Sequence, residues 1–268
     1  NLTSINDLIT TLGTQFALKS MGEVNHFLGF EALKSHDGFL LNQSKYALDL
    51  LVKTNMVNCK PVSTPLSPAS KLHLADSEPF SKVTLYRSVV GALQYLTMTR
   101  SDISFAVNKL SQFLHGPTVH HWLACKHLLR YIKGTLSLGL SFQPVKRFTL
   151  EAYIDADWAS CLDDRRSTGG HFIMLGQNLL CWSSKKQQVV SRSSAESEYR
   201  SLATASSDLL WMHSLVHELG LFFESPSILW CDNVSAAALA FNPVQHARTK
   251  HIEIDIHFVR EKLLPKKL

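Results

Sequence analysis

The spacing of apolar residues changes character near residue 147. Before that point helical periodicity dominates. Residues 3–19 place Ile5, Leu8, Ile9, Leu12 and Phe16 on one stripe and predict a short amphipathic helix. His26 to Glu31 and Gly38 to Asn42 predict two short strands around a Ser-His-Asp-Gly turn. Ser44 to Lys53 carries Tyr46, Ala47, Leu50 and Leu51 at helical spacing. Pro61, Pro65 and Pro68 then impose an extended linker, because proline lacks the N–H a helix needs and restricts the residue before it. Residues 84–133 predict three helices. The first carries Tyr86, Val89, Val90, Leu93 and Leu96. The second follows Asp102 as a cap and carries Phe105, Ala106, Leu110, Phe113 and Leu114. The third carries Trp122, Leu123, Leu128, Leu129 and Ile132, with Gly134 as its C′ residue. Leu136 to Phe142 turns strand-like, and Pro144, Lys146 and Arg147 mark a hinge.

After the hinge the period becomes two. Leu150, Ala152, Ile154 and Ala156 fall on one face of a strand, and Glu151, Tyr153, Asp155 and Asp157 on the other. His171 to Leu175 and Leu179 to Ser183 predict a hairpin across Gly176, Gln177 and Asn178, and Val189 and Val190 the end of a further short strand. Ser193 to Leu219 is the longest helix, opened by Ser193 and Glu196 at capping-box spacing, with a stripe running from Ala195 and Tyr199 to Val216 and Leu219. A strand over Ser227 to Cys231, a helix over Val234 to Phe241 and a tail helix over Ile252 to Leu264 complete the series.

Length and composition fit this reading. The 268 residues are 45% hydrophobic and 18% charged, which suits one large or two ordinary globular domains. A net charge of +5 tolerates a polyanionic partner without demanding one. The 5 cysteines include no CxxC pair, so reduced thiols in an intracellular compartment are expected and a cysteine zinc site is not. No secretory leader or membrane-spanning run is visible.

The candidate chemistry lies after the hinge. Asp155 sits midway along an apolar strand, acidic residues Glu196 and Glu198 open a helix, and Asp232 ends a strand. Carboxylates held at strand ends and a helix start can converge on one crevice, and a hard oxygen donor set favours magnesium over zinc. Alternatives stay open on spacing alone: Asp157 shares a face with Asp155, Glu196 could be only a cap, and Asp232 could only initiate the next helix. Asp163, Asp164, Arg165 and Arg166 read as a turn with internal pairing. Lys185, Lys186 and the cluster His246, Arg248, Lys250 and His251 are the basic groups that could lie along a nucleic-acid backbone. Trp122, Trp182, Trp211 and Trp230 sit in apolar segments and read as core.

Several stretches resemble a known family in the order that family has them. Phe16 to Glu31, Gln43 to Leu51, Cys59-Lys-Pro-Val-Ser-Thr-Pro65, Tyr86 to Leu96 and Arg100-Ser-Asp-Ile-Ser-Phe-Ala-Val107 resemble the end of the reverse transcriptase of Ty1/copia-type retrotransposon Pol polyproteins, with Ser101 where that family usually has proline. Asp155-Ala-Asp-Trp-Ala159, Asp164-Arg-Arg-Ser-Thr-Gly169, Trp182-Ser-Ser-Lys-Lys-Gln187, Ser194-Ala-Glu-Ser-Glu-Tyr199, Cys231-Asp-Asn233 and Arg248-Thr-Lys-His-Ile-Glu-Ile-Asp255 resemble its ribonuclease H domain. The resemblance covers essentially the whole chain.

It implies a mixed α/β and α+β molecule. Residues 1–72 would end the polymerase palm and thumb region, residues 73–147 form a helical connection, and residues 148–268 form a ribonuclease H-like mixed sheet with flanking helices. It implies catalytic and metal-binding roles for Asp155, Glu198 (rather than Glu196) and Asp232, and two Mg2+ ions, with Mn2+ as a substitute. Its substrate would be the RNA strand of an RNA–DNA hybrid or another duplex. Lys185, Lys186, Arg248 and His251 would contact its backbone. The remainder of the Pol polyprotein would be a partner, a membrane would not, and the location would be a cytoplasmic virus-like particle or the nucleus. Two departures qualify this. The polymerase signature Tyr-x-Asp-Asp is absent from the chain, so polymerase activity is not expected. The chain also ends in Leu-Leu-Pro-Lys-Lys-Leu where the family continues to a fourth aspartate; Asp255 reads as a helix residue rather than its substitute. A poorly folding, weakly active piece, or an inert remnant that only binds nucleic acid, is the alternative expectation.

Overall fold

The computed structural model describes residues 2–17, 25–67, 71–75, 77–241 and 252–263. Helix α1 (Leu2–Gln15) forms where expected, yet Leu8, Ile9, Leu12 and Phe16 all remain exposed, so its apolar stripe is not covered by the described residues; Ile5's side chain and Pro68 lie outside them. The strand expected over His26 to Glu31 is broken into β1 (His26–Phe27) and β2 (Phe30–Ser35) by Leu28 and Gly29. Both adopt positive φ, 49° and 79°, which a continuous strand excludes. β2 turns through His36 and Asp37 into β3 (Gly38–Asn42).

Helices α2 (Ser44–Lys53), α3 (Val83–Leu96), α4 (Ser104–Ser111) and α5 (Val119–Gly134) follow, with a 3-10 turn at Ser101–Ile103. Their apolar stripes meet in one core containing Leu51, Tyr86, Leu93, Leu110 and Leu128. Tyr86 is fully buried because its hydroxyl finds an acceptor, Leu110 O at 2.8 Å. Asp102 caps nothing. Its carboxylate instead takes a two-point hydrogen bond from Arg100 (2.9 and 2.8 Å) and one from Tyr131 (2.8 Å), while Arg100 also reaches Thr135 O at the end of α5. Gly134 lies inside the last turn of α5, which Thr135 ends. Strand β4 (Gly139–Phe142) then returns to β3, giving an antiparallel sheet in the order β1-β2-β3-β4.

The second sheet has the order β7-β6-β5-β8. β5 (Leu150–Asp157), β6 (Thr168–Leu175) and β7 (Asn178–Lys186) form an antiparallel meander, and β8 (Ile228–Trp230) lies parallel to β5. Mixed pairing requires a long crossover, and helix α6 (Ser194–Glu218) lies within it. α6 covers one face of the sheet through Tyr199, Leu202 and Ala205 against Ile154, and through Leu209 and Met212 against Leu150, Ala152 and Ile173. α7 (Val234–Phe241) and α8 (Glu253–Leu263) close the core from the side with Ala236, Ala240, Ile256 and Val259.

The molecule is thus a mixed α/β structure with two sheets and flanking helices. The sheets are joined where Gln143 N–H donates to Asn178 Oδ1 and Asn178 Nδ2 donates to Gln143 O, both at 2.8 Å. Three further expectations fail locally. Val189 lies in a bend and Val190 in irregular chain after it, neither in a strand. Trp211 and Trp230 are about half exposed rather than core. Only half of the capping box forms, since Ser193 accepts from Glu196 N–H while the Glu196 carboxylate takes the N–H of Arg192.

Candidate functional site

The pleat of β5 sends Ile154 into the core and leaves Asp155 and Asp157 exposed on the opposite face. α6 approaches β6 closely at Gly169, where any Cβ would overlap Ser201 Oγ. That approach brings the first turns of α6 against the end of β5. Glu196 is occupied there by Arg200 (3.0 Å) and by the Arg192 N–H (2.9 Å). Glu198, two residues on, faces the sheet. It is only 5% exposed, and its Oε1 accepts from Ala156 N–H at 3.0 Å. Its Oε2 is buried without a hydrogen-bond partner among the described residues.

Asp232 follows β8. Asn233, not Asp232, caps α7, accepting from Ala236 N–H at 3.0 Å, so the aspartate is not used in starting that helix. Ligand atoms of Glu198, Cys231 and Asp232 all lie within 4.8 Å of one another. Asp155 stands outside that group but acts on it through its charge. Burial pushes the Glu198 carboxyl up to about 7, against the opposing Ala156 N–H, and the negative charges of Asp155, Asp232 and Asp157 add to the rise. Asp157 is raised in the same way, by burial and then by Asp155. The Cys231 thiol is also raised, first by burial, with Glu198 and Asp232 contributing. Glu198 and Asp232 supply the hard oxygen donors of this group, and Cys231 a softer one. A buried, orphaned carboxylate oxygen among like charges fits a hard divalent cation.

Of the basic candidates, Lys185 is exposed at the end of β7. Lys186 is paired within the chain, its ammonium lying 2.8 Å from Asp164 and 3.0 Å from Cys161 Sγ. Arg248 and His251, with His246 and Lys250, lie outside the described residues. The Asp163–Arg166 turn pairs internally only in part: Arg166 N–H donates to Asp164 at 3.2 Å, while Asp163 accepts from Leu74 N–H at 3.0 Å. Asp255 is directed to Arg200 at 3.5 Å and not to the carboxylate group. The exposed face of β5 and β6 carries Tyr153 stacked on Phe172 (centroids 4.7 Å apart) and on Trp230 (6.3 Å). It borders a cleft of about 560 Å3 that also receives Asp155, Phe105 and Trp182.

A second group went unnoticed in the sequence. His171, Cys181 and Asp208 place their ligand atoms within 4.8 Å of one another. They come from two strands and the middle of α6, and no linear spacing signals that meeting. Burial lowers the His171 pKa, against the pull of Asp208.

Comparison with known proteins identifies the family. Residues 1–68 match the reverse transcriptase (RNA-dependent DNA polymerase) family. The chain is 47% identical over 261 residues, 97% of its length, to the retrovirus-related Pol polyprotein from transposon RE1 of Arabidopsis thaliana. It is 43% identical over 209 residues to an uncharacterized mitochondrial protein of the same plant, covering 78% of this chain and 87% of that protein. The chain belongs to the Ty1/copia-type retrotransposon Pol family. Its match to the Pol polyprotein from transposon TNT 1-94 of Nicotiana tabacum, 35% identical over 263 residues, covers 93% of this chain. This Pol segment spans 18% of the RE1 polyprotein and 19% of the TNT 1-94 polyprotein. Among its described residues no helix is long and apolar enough to cross a membrane.

Proposed function

We propose that residues 148–268 of this Pol segment act as a ribonuclease H, cleaving the RNA strand of RNA–DNA hybrids at Asp155, Glu198 and Asp232. In this reading residues 1–72 end the polymerase palm and thumb region, and residues 73–147 connect it to the nuclease. The buried Glu198 Oε2, without a hydrogen-bond partner among the described residues and surrounded by carboxylates, carries the reading. An uncompensated charge in that position is strongly disfavoured unless a cation joins it.

Mg2+ fits the oxygen donors best, with Mn2+ as a substitute; when bound, a pair of such ions supplies an activated water and stabilises the leaving oxygen of a phosphodiester. The chain's own residues provide the frame. The Ala156 N–H fixes one oxygen of Glu198 and thereby the direction of the other. β5 and β8 lie side by side in parallel register, with Tyr153 beside Trp230, which sets the relative positions of Asp155 and Asp232. Lys185, exposed at the end of β7, is placed to meet a phosphate. Distinguishing RNA from DNA rests on the 2′-hydroxyls of the A-form-like minor groove. The rest of the Pol polyprotein is the natural partner for this segment.

The test is cleavage of a labelled RNA–DNA hybrid by the purified chain, with and without Mg2+, beside Asp155→Asn and Asp232→Asn. Metal-dependent cutting that falls by at least about 100-fold in each variant supports the proposal. Cutting that survives Asp155→Asn overturns the site. A folded chain that binds the hybrid but never cuts it overturns the activity and leaves a binding remnant.

A further inference from the structure

The group formed by His171, Cys181 and Asp208 is chemically unlike the carboxylate cluster. It offers one nitrogen, one sulfur and one oxygen donor, with all ligand atoms within 4.8 Å of one another. Its geometry follows from the second sheet. In the antiparallel pairing of β6 and β7, His171 stands opposite Ser183 and Ile173 opposite Cys181. His171 and Cys181 are therefore diagonal neighbours on the face that buries Ile173 beneath α6. Asp208 reaches that face from α6, and its carboxylate lies 2.8 Å from His171 Nε2. The His171 side chain is 3% exposed, while Cys181 and Asp208 are partly open to solvent.

Sulfur and imidazole donors select zinc-class ions over magnesium, and a set of three protein ligands leaves one position of a tetrahedral ion open. Here that position has somewhere to face. Cys181 and Asp208 line a cleft of about 360 Å3 together with Gln94, Thr97, Asn108 and Lys185. A thiolate and a carboxylate balance the two charges of such an ion, whose binding replaces the His171–Asp208 hydrogen bond with a bond from each group to the metal. Lys185 works against a bare cation at this point, but it suits an anion or water occupying the open position.

We propose that His171, Cys181 and Asp208 form a binding site for a zinc-class divalent cation, separate from the nuclease carboxylates, with its open coordination position toward the cleft between α3, α4 and β7. The cleft is walled on one side by α3 and α4 and on the other by β7 and α6. A bound ion there braces the second sheet beside its contact with the helical region. The proposal stands independently of the nuclease reading, since neither set of ligands uses a residue of the other.

Co2+ is the probe, added to the full chain after reduction and removal of metals. The expected result is a sulfur-to-cobalt charge-transfer band with tetrahedral visible bands, saturating at one ion per chain and bleached by Zn2+. Mg2+ at about 100-fold excess should leave the bands in place. Cys181→Ser and Asp208→Asn should abolish or greatly weaken them. Cys231→Ser, in the other cluster, should not. A measurement without variants guards against misfolding: Zn2+ should protect Cys181 from alkylation, read by mass spectrometry, while leaving Cys59 reactive. Absence of the charge-transfer band, a band lost in Cys231→Ser but kept in Cys181→Ser, or equal alkylation of Cys181 with and without Zn2+ would each overturn the assignment.

Discussion

Glu198 is the residue on which the account turns, and its electrostatics make a signed prediction. Its carboxyl is raised to about 7 in the folded chain, and burial is the main cause. A raised carboxyl favours the protonated fold, so this contribution to stability is complete at low pH and is lost as pH rises through about 7. The metal-free chain should therefore lose thermal stability as pH rises from about 4.5 to about 7 and change little above that, with the raised Asp157 adding in the same direction. Mg2+ should restore it. Glu198→Gln should flatten the pH dependence and stabilise the metal-free chain at about pH 8 by roughly 1–3 kcal/mol, while abolishing cleavage. A melting temperature that is flat in pH for the unsubstituted chain would contradict this. The two lysines separate in the same spirit. Lys185→Ala should weaken hybrid binding in a salt-dependent way, and Lys186→Ala should leave binding nearly unchanged, because Lys186 is engaged by Asp164 and Cys161. Titrating binding against salt for both variants checks it. The acidic trio is picked out by the family resemblance; spacing alone leaves Glu196 open beside Glu198 and Asp157 beside Asp155. The engagement of Lys186 could not be read from sequence, because Asp164 and Cys161 lie more than twenty residues away. Trp211 and Trp230 were misjudged because a large apolar side chain in a periodic segment need not face the core.

At the scale of elements, periodicity was a good guide wherever one face is buried. The alternation along β5 and the long stripe of α6 both correspond to the observed cores. It misled where local backbone geometry or missing cover intervened. The positive φ of Leu28 and Gly29 splits a strand that looks continuous, and the stripe of α1 has no covering surface among the described residues. The seating of α6 on the sheet depends on Gly169 more than any hydrophobic pattern reveals. Gly169→Ala should push the Ser201 hydroxyl and the Gln187 amide aside, cost about 1–3 kcal/mol in chemical denaturation, and reduce cleavage more than it reduces helix content. Unchanged stability in the alanine variant would show that the helix is seated otherwise.

For the whole molecule, what the sequence could not reveal is which distant segments pair. β4 returns to β3 across nearly one hundred residues, and the two sheets meet through the Gln143–Asn178 hydrogen bonds. Non-local pairing of this kind leaves no local signature. Asn178 is buried, and both its hydrogen bonds cross to Gln143, so Asn178→Ala should cost about 1–3 kcal/mol. It should also broaden or split the calorimetric transition as the two sheets begin to unfold separately. A single unshifted transition would mean that the packing of α4 on β7 suffices to couple them.

The central claim is that Asp155, Glu198 and Asp232 hold divalent cations. Its most direct test is Mn2+ binding to the full chain followed by electron paramagnetic resonance, in the presence of an RNA–DNA hybrid, for the unsubstituted chain and for Glu198→Gln. The account predicts tight binding that Mg2+ displaces and that weakens by at least about 10-fold in the variant, since a buried carboxylate oxygen is lost from the site. Equal Mn2+ affinity in the two proteins would contradict it.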